Sequence, residues 1–259
     1  MAQLSGMKLV LLFILLFISG KLLAQPDMRI AVAANFAETA KLLTTQFENQ
    51  SGKQVEVSSG STGGLYAQIV HGAPYAVFLS ADSLRPERLE QQGLITPGSR
   101  RDYATGQLAL WSEHMPIVDG LKPIGGGAEQ LKQALAKTQT LAIANPEIAP
   151  YGEAAKQALT HLKLWDNDNF RLVQGNNVLQ AFQFKQTGNA DSAIVAYHML
   201  QSKPRYLIIP DNMYQPIKQQ LVILRTATDK PLAEAFVAFL LSDTVQQQLV
   251  VLGYRRVDE

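Results

Sequence analysis

The chain has 259 residues, 23 Lys and Arg against 22 Asp and Glu, and no Cys. A near-neutral charge, with Arg100-Arg101 and Arg255-Arg256 as the adjacent basic pairs, argues against nucleic acid as a partner, because phosphate contacts need clustered cations. Without Cys there is neither a disulfide framework nor a thiolate site, so stability rests on hydrophobic cores, and the length suffices for one or two of them.

Lys8, the apolar run Leu9 to Ile18 and the flank Ser19 to Pro26 predict a secretory signal peptide over residues 1–24, cut after Ala24. The run is short of the roughly 20 apolar residues that a membrane span needs. Removing Lys8 and Lys21 leaves 21 basic against 22 acidic residues, a formal charge of −1 on an exported protein.

Arg29 to Ala33 reads as a strand leading to Asn35, an N-cap with Glu38 three residues on, and then to a helix with Phe36, Ala40, Leu43 and Phe47 on one side. Ser51-Gly52 ends that helix, and Val55 to Val57 predicts the next strand. Ser58 to Gly64 then forms a loop of small polar residues that opens a helix at Leu65. Ala76 to Ser80 reads as a buried strand, followed by Asp82 as a helix cap and by a helix with Pro86 early and Gly93 past its end.

A strand begins at Gln107, and the pattern repeats. A helix is predicted over Ala128 to Leu135, a strand over Leu141 to Ala144, and a helix after Pro150-Tyr151-Gly152. A strand over Arg171 to Val173 leads through Asn176-Asn177 into a helix near Val178. Strands at Ala193 to Ala196, Tyr206 to Ile209 and Leu221 to Leu224 precede two closing helices, Leu232 to Leu241 and Val245 to Leu252. Repeated strand-helix units imply parallel sheets with helices on both faces, and roughly ten strands suit two α/β lobes better than one sheet.

Four strand-to-helix junctions share one chemistry: Ala33-Ala34-Asn35, Ser61-Thr62-Gly63, Pro150-Tyr151-Gly152 and Asn176-Asn177-Val178. Ligands of open α/β sheets bind at such junctions, where helix N–H groups and the helix dipole favour an anion. Two junctions fall in each half of the chain, so halves that face each other would hold a small oxyanion with neutral donors alone; taken singly, each junction reads equally well as an ordinary cap. The loop at Ser61 lacks the Lys of a nucleotide-binding P-loop. Ser61 also lacks the G-x-S-x-G setting of a hydrolase nucleophile, and His71, His114, His161 and His198 stand alone as surface or packing residues with no metal-site spacing.

The succession Val32-Ala33-Ala34-Asn35-Phe36, Gly60-Ser61-Thr62-Gly63, Gly72-Ala73-Pro74 through Ser80-Ala81-Asp82, and Asn145-Pro146-Glu147 through Pro150-Tyr151-Gly152 resembles the periplasmic molybdate-binding proteins of ABC transporters, over Met28 to Tyr254. That resemblance implies a two-lobed type II periplasmic binding protein fold with a mainly parallel sheet in each lobe and the ligand cleft between them. It divides the chain into lobe 1 over 25–106, lobe 2 over 107–208 and a return to lobe 1 over 209–259. The implied ligands of a molybdate or tungstate oxyanion are Asn35 with the N–H of Ala34 or Asn35, Ser61 or Thr62, and the N–H groups of Tyr151 and Val178. Ala196 stands where some members place a ligand Tyr, which leaves Tyr197, one place on, as a further candidate contact. The resemblance implies that molybdenum is bound only within the oxyanion, through Asn35, Thr62, Tyr151 and Val178. The implied protein is a periplasmic monomer, not an enzyme, that needs no cofactor and hands its ligand to a membrane permease. Alternatives are a binding protein of the same fold for another anion such as sulfate, or an exported serine hydrolase using Ser61.

Overall fold

A computed structural model describes residues 25–114, 127–166 and 168–256; the signal-peptide reading lies outside them. Among the described residues no helix is long and apolar enough to cross a membrane. One sheet contains β1 (Met28–Ala33), β2 (Val55–Gly60), β3 (Val77–Leu79), β4 (Arg101–Gly106) and β10 (Ile217–Ile223), in the order β2-β1-β3-β10-β4. The other contains β5 (Leu108–Ser112), β6 (Thr140–Ala144), β7 (Arg171–Gly175), β8 (Ser192–Ala196) and β9 (Tyr206–Ile208), in the order β7-β6-β8-β5-β9. β10 runs antiparallel to both its neighbours, and β5 does the same in its own sheet, so in each sheet four strands point one way and one against them.

The alternation of strand side chains decides which helices cover which face. In the first sheet Ile30, Val32, Val77, Leu79, Leu221 and Ile223 face a core shared with α1 (Ala37–Ser51), α7 (Lys230–Leu240) and α8 (Asp243–Val251). The intervening Ala31, Phe78 and Val222 face the opposite way, against Leu65 and Ile69 of α2 (Thr62–Val70) and Leu89 of α3 (Leu84–Gln91). Burying a side chain such as Phe236, which packs edge-on against Phe47 at 5.3 Å, contributes roughly 1.5–3 kcal/mol. The second sheet is covered by α4 (Ala128–Leu135), α5 (Pro150–His161) and α6 (Val178–Gln186), with β5 and β8 buried along their whole length.

Three details depart from the sequence reading. Ser58-Ser59-Gly60 extends β2, pairing with Ala31 to Ala33, so the loop is shortened to Ser61. β4 was not foreseen, because its sequence Arg-Asp-Tyr-Ala-Thr-Gly carries no apolar run; Tyr103 and Ala104 alone are fully buried apolar residues in it. Asn35 is not a helix cap. It sits within a 3-10 turn, Ala34–Phe36, and α1 begins after it without a side-chain cap.

The chain crosses between sheets at Gly106-Gln107-Leu108 and again between β9 and β10. The crossings are tied together: the Ile209 N–H donates to Leu108 O at 2.9 Å and the Leu108 N–H to the Tyr214 hydroxyl at 3.1 Å. Ala33 and Ala81, at the ends of first-sheet strands, pack into the core of the second sheet. In the other direction, the buried Tyr151 of α5 lays its hydroxyl on Gly106, where a methyl group would overlap it. Gly106→Ala is therefore expected to lower stability by about 1–3 kcal/mol in urea unfolding, and adding Tyr151→Phe should recover most of the loss. Unchanged stability of the single variant would show that the two lobes do not pack this closely.

Candidate functional site

In both sheets the strand order places the first strand of a strand-helix-strand-helix-strand unit between the other two, so the connection leaving its carboxyl end runs to one side and the connection leaving the neighbouring third strand runs to the other. That reversal opens a crevice at the strand ends. The two crevices face each other. Ala33, Ala34, Asn35, Gly60, Ser61, Thr62 and Ala81 from one sheet, with Ala149, Pro150, Tyr151, Asn177 and Val178 from the other, line one small cavity that opens to solvent at its mouth. All four junctions singled out in the sequence are thus brought together, and no lining residue is charged.

The donors are distinguished by what their neighbours already use. In α2, Ser61 is the N-cap, with its Oγ accepting from the Gly64 N–H at 3.2 Å. The Gly63 N–H crosses the cleft to Ile148 O at 2.9 Å. This leaves the Thr62 N–H, which has no acceptor within the helix. Both hydroxyls act as acceptors from backbone N–H groups, Thr62 Oγ1 from Ala81 at 3.3 Å, so both retain a hydrogen to donate.

In α5, Pro150 has no N–H and the Gly152 N–H turns back to Ala149 O at 2.8 Å, so Tyr151 carries the first free donor. Gly152 is obligatory there, since a Cβ would run into the carbonyl of Ala144. In α6, Asn177 caps with Oδ1 accepting from the Gln180 N–H at 3.0 Å, leaving the Val178 N–H at the helix start.

Asn35 is held from two sides. Its side-chain Nδ2 donates to Gln219 Oε1 at 2.8 Å, an acceptor that also receives the Tyr103 hydroxyl at 3.1 Å. One of the two amide hydrogens expected to face an anion is therefore committed to β10. Its backbone carbonyl accepts from His198 Nε2 at 2.8 Å and from the Tyr254 hydroxyl at 3.4 Å. Burial holds the His198 pKa down to about 4, so the ring is neutral and Nε2 carries the hydrogen that the carbonyl accepts.

Tyr197 is not brought to the cavity. Its N–H donates to Gln107 O at 2.9 Å and its ring lies 5.7 Å from that of Tyr206, because the 3-10 turn Tyr197–Leu200 directs it into the second sheet's own core. His198, assigned above to surface or packing, is the residue of that turn that reaches the cleft. Neither His198 nor Gln219 carries a local signal, since their partner Asn35 lies 163 and 184 residues away. Among the described residues no histidine hydrogen-bonds Ser61, whose Oγ is engaged as a cap. Arg85 lies near the cleft, but its charge is paired with Asp82, and its Nη2 donates across the cleft to Glu147 O at 3.3 Å.

The family model for bacterial extracellular solute-binding proteins matches residues 28–255. The molybdate-binding protein ModA of Azotobacter vinelandii is 40% identical over 233 residues, covering 88% of this chain and 89% of that protein. ModA of Rhodobacter capsulatus is 37% identical over 228 residues, covering 86% of each. Among solved structures, the Azotobacter vinelandii periplasmic molybdate-binding protein superposes with a TM-score of 0.79 at 39% identity, covering 88% of this chain and 99% of that one.

The two hydroxyls at the start of α2 differ in what they support. Thr62→Val removes the acceptor of the buried Ala81 N–H and is expected to cost about 1–3 kcal/mol of stability. Ser61→Ala loses a helix cap and should cost about 1 kcal/mol. Urea unfolding of the ligand-free protein checks both, and an unaffected Thr62→Val variant would contradict the bond to Ala81.

Proposed function

The chain belongs to the bacterial extracellular solute-binding proteins, and from that premise we propose that it is a periplasmic, monomeric carrier, not an enzyme, that captures molybdate, and also tungstate, and delivers it to the membrane permease of an ABC transporter. The observation that carries this reading is the convergence of three α-helix starts and the 3-10 turn at Ala34–Phe36, two junctions from each sheet, on one small cavity lined by uncharged residues. The proposed ligands are the N–H groups of Ala34 or Asn35, Thr62, Tyr151 and Val178, the hydroxyls of Ser61 and Thr62, and the remaining amide hydrogen of Asn35. The moving bodies are residues 25–106 with 209–259, and 107–208, turning about the two crossings beside Gly106 and Ile209.

The first body offers five of these donors and the second two, from opposite sides, so the anion is surrounded only when both close on it. Neutral N–H and O–H donors form charge-assisted bonds to a fully ionised tetrahedral oxyanion, with no basic side chain in the cavity lining to retain it on reopening. Sulfate has shorter bonds and would leave donors out of reach, and phosphate, partly protonated at neutral pH, would need an acceptor that the lining does not emphasise.

Calorimetry of the mature protein with molybdate, tungstate, sulfate and phosphate tests the assignment: tight binding of the first two and weak binding of the others is expected, and sulfate bound as tightly as molybdate would refute it. Ser61→Ala and Thr62→Ala should each weaken molybdate binding by roughly 1.5–3 kcal/mol. If neither changed affinity, the start of α2 would not be the site.

A further inference from the structure

Besides the donors around the cavity, a second set of contacts joins the two bodies on the side of the cleft where the chain ends. His198 stands on the turn after β8 and reaches across to the carbonyl of Asn35 on the turn after β1, at 2.8 Å. Its ring stacks on Tyr254 at 4.2 Å between centroids with 22° between planes. Three residues on, the Gln201 amide donates to Val251 O at 3.1 Å. Gly253 makes room for this turn: it adopts φ +90°, and a Cβ there would press on the Gln201 amide and lie 3.2 Å from His198.

We propose that His198 is a positioning residue for the oxyanion site, a latch between the lobes that forms on closure and fixes the Asn35 backbone for ligand contact. This rests on the oxyanion-carrier reading above. The partner atom is what distinguishes the latch from ordinary packing, because it belongs to a residue of the cavity lining and not to the periphery. Gln219 and Tyr254 grip the same residue from within its own lobe, so they hold it in the open and closed states alike. The His198 bond comes from the opposite lobe and exists only when the cleft is shut. Its loss removes a donor from a carbonyl that stays buried in the closed state, which raises the rate of opening and leaves the encounter with the open lobes unchanged.

The test uses the full mature protein with molybdate and tungstate as probes. His198→Phe keeps a ring to stack on Tyr254 but has no hydrogen to donate; stopped-flow release should be faster on the order of 10-fold, with association within about twofold. His198→Gln, whose amide can donate to the same carbonyl, should bring release back to within about threefold of the parent. Stability of the ligand-free protein in urea should be the same for all three. Since the chain has no Cys, Gln50→Cys and Gln133→Cys on exposed helix positions allow a donor and an acceptor dye to report lobe separation directly, with His198→Phe shifted toward the open distance. Equal release rates for the parent and His198→Phe, or a Gln variant as defective as the Phe variant, would overturn the latch. If the parent bound neither anion the carrier reading would fall; anion binding by the parent with equal release rates and equal dye distances for the parent and His198→Phe would overturn the latch alone.

Discussion

A helix leaves its first N–H groups without acceptors inside the helix, and a buried donor left that way costs about 1–3 kcal/mol. In this protein three α-helix starts and one 3-10 turn direct such groups toward one cavity between two sheets. Closing the lobes around an empty cavity therefore opposes itself. Direct bonds across the cleft, among them Gly63 to Ile148, Arg85 to Glu147, His198 to Asn35 and Gln201 to Val251, each contribute only on the order of 1 kcal/mol net. They cannot outweigh several unpaired donors, but they suffice once an anion supplies acceptors in several directions. Ligand capture and closure are then a single event, because each removes the free-energy cost of the other.

That coupling needs the donors to approach from both sides, and the topology provides it twice. Each sheet has the same order, with the first strand of its strand-helix-strand-helix-strand unit between the other two and one reversed strand beyond the third. The reversed strands are β5 and β10, the two that the chain enters just after crossing between lobes. Both crossings thus run from the edge strand of one sheet into the interior of the other. They lie side by side, bonded through Leu108 and Ile209, and so form a narrow pivot, while every proposed ligand is on a strand-to-helix junction and moves with its own lobe.

Much of this was legible in the sequence because the information is local. The helix over Ala128 to Leu135, the strand-helix alternation and the four junctions follow from side-chain period and from turn residues. The residues that were misread are those whose role is fixed at long range. Asn35 looks like a cap beside Glu38, yet its amide finds Gln219 in a strand far along the chain. β4 is held by pairing with β10 through Lys218 and Gln219 and not by an apolar pattern of its own. His198 looked like packing because nothing near it in sequence marks the carbonyl it meets. Tyr197, a candidate only through its place beside Ala196, has its ring against Tyr206 in the core of the second sheet.

A carrier must also release. Two buried polar groups, the Tyr151 hydroxyl from one lobe and Gln219 Nε2 from the other, pair with no protein group among the described residues, and both lie against Gly106 at the crossing. Burial raises the pKa of the Tyr151 phenol well above its ordinary value, so it remains an uncharged group with its hydrogen to donate. Opening the lobes about Gly106 exposes such groups to water and relieves their desolvation. This acts against closure at the pivot, while the oxyanion acts for it in the cavity. The seam of weak bonds sets the margin between them, and a site without a lining cation keeps that margin small enough for the cleft to reopen.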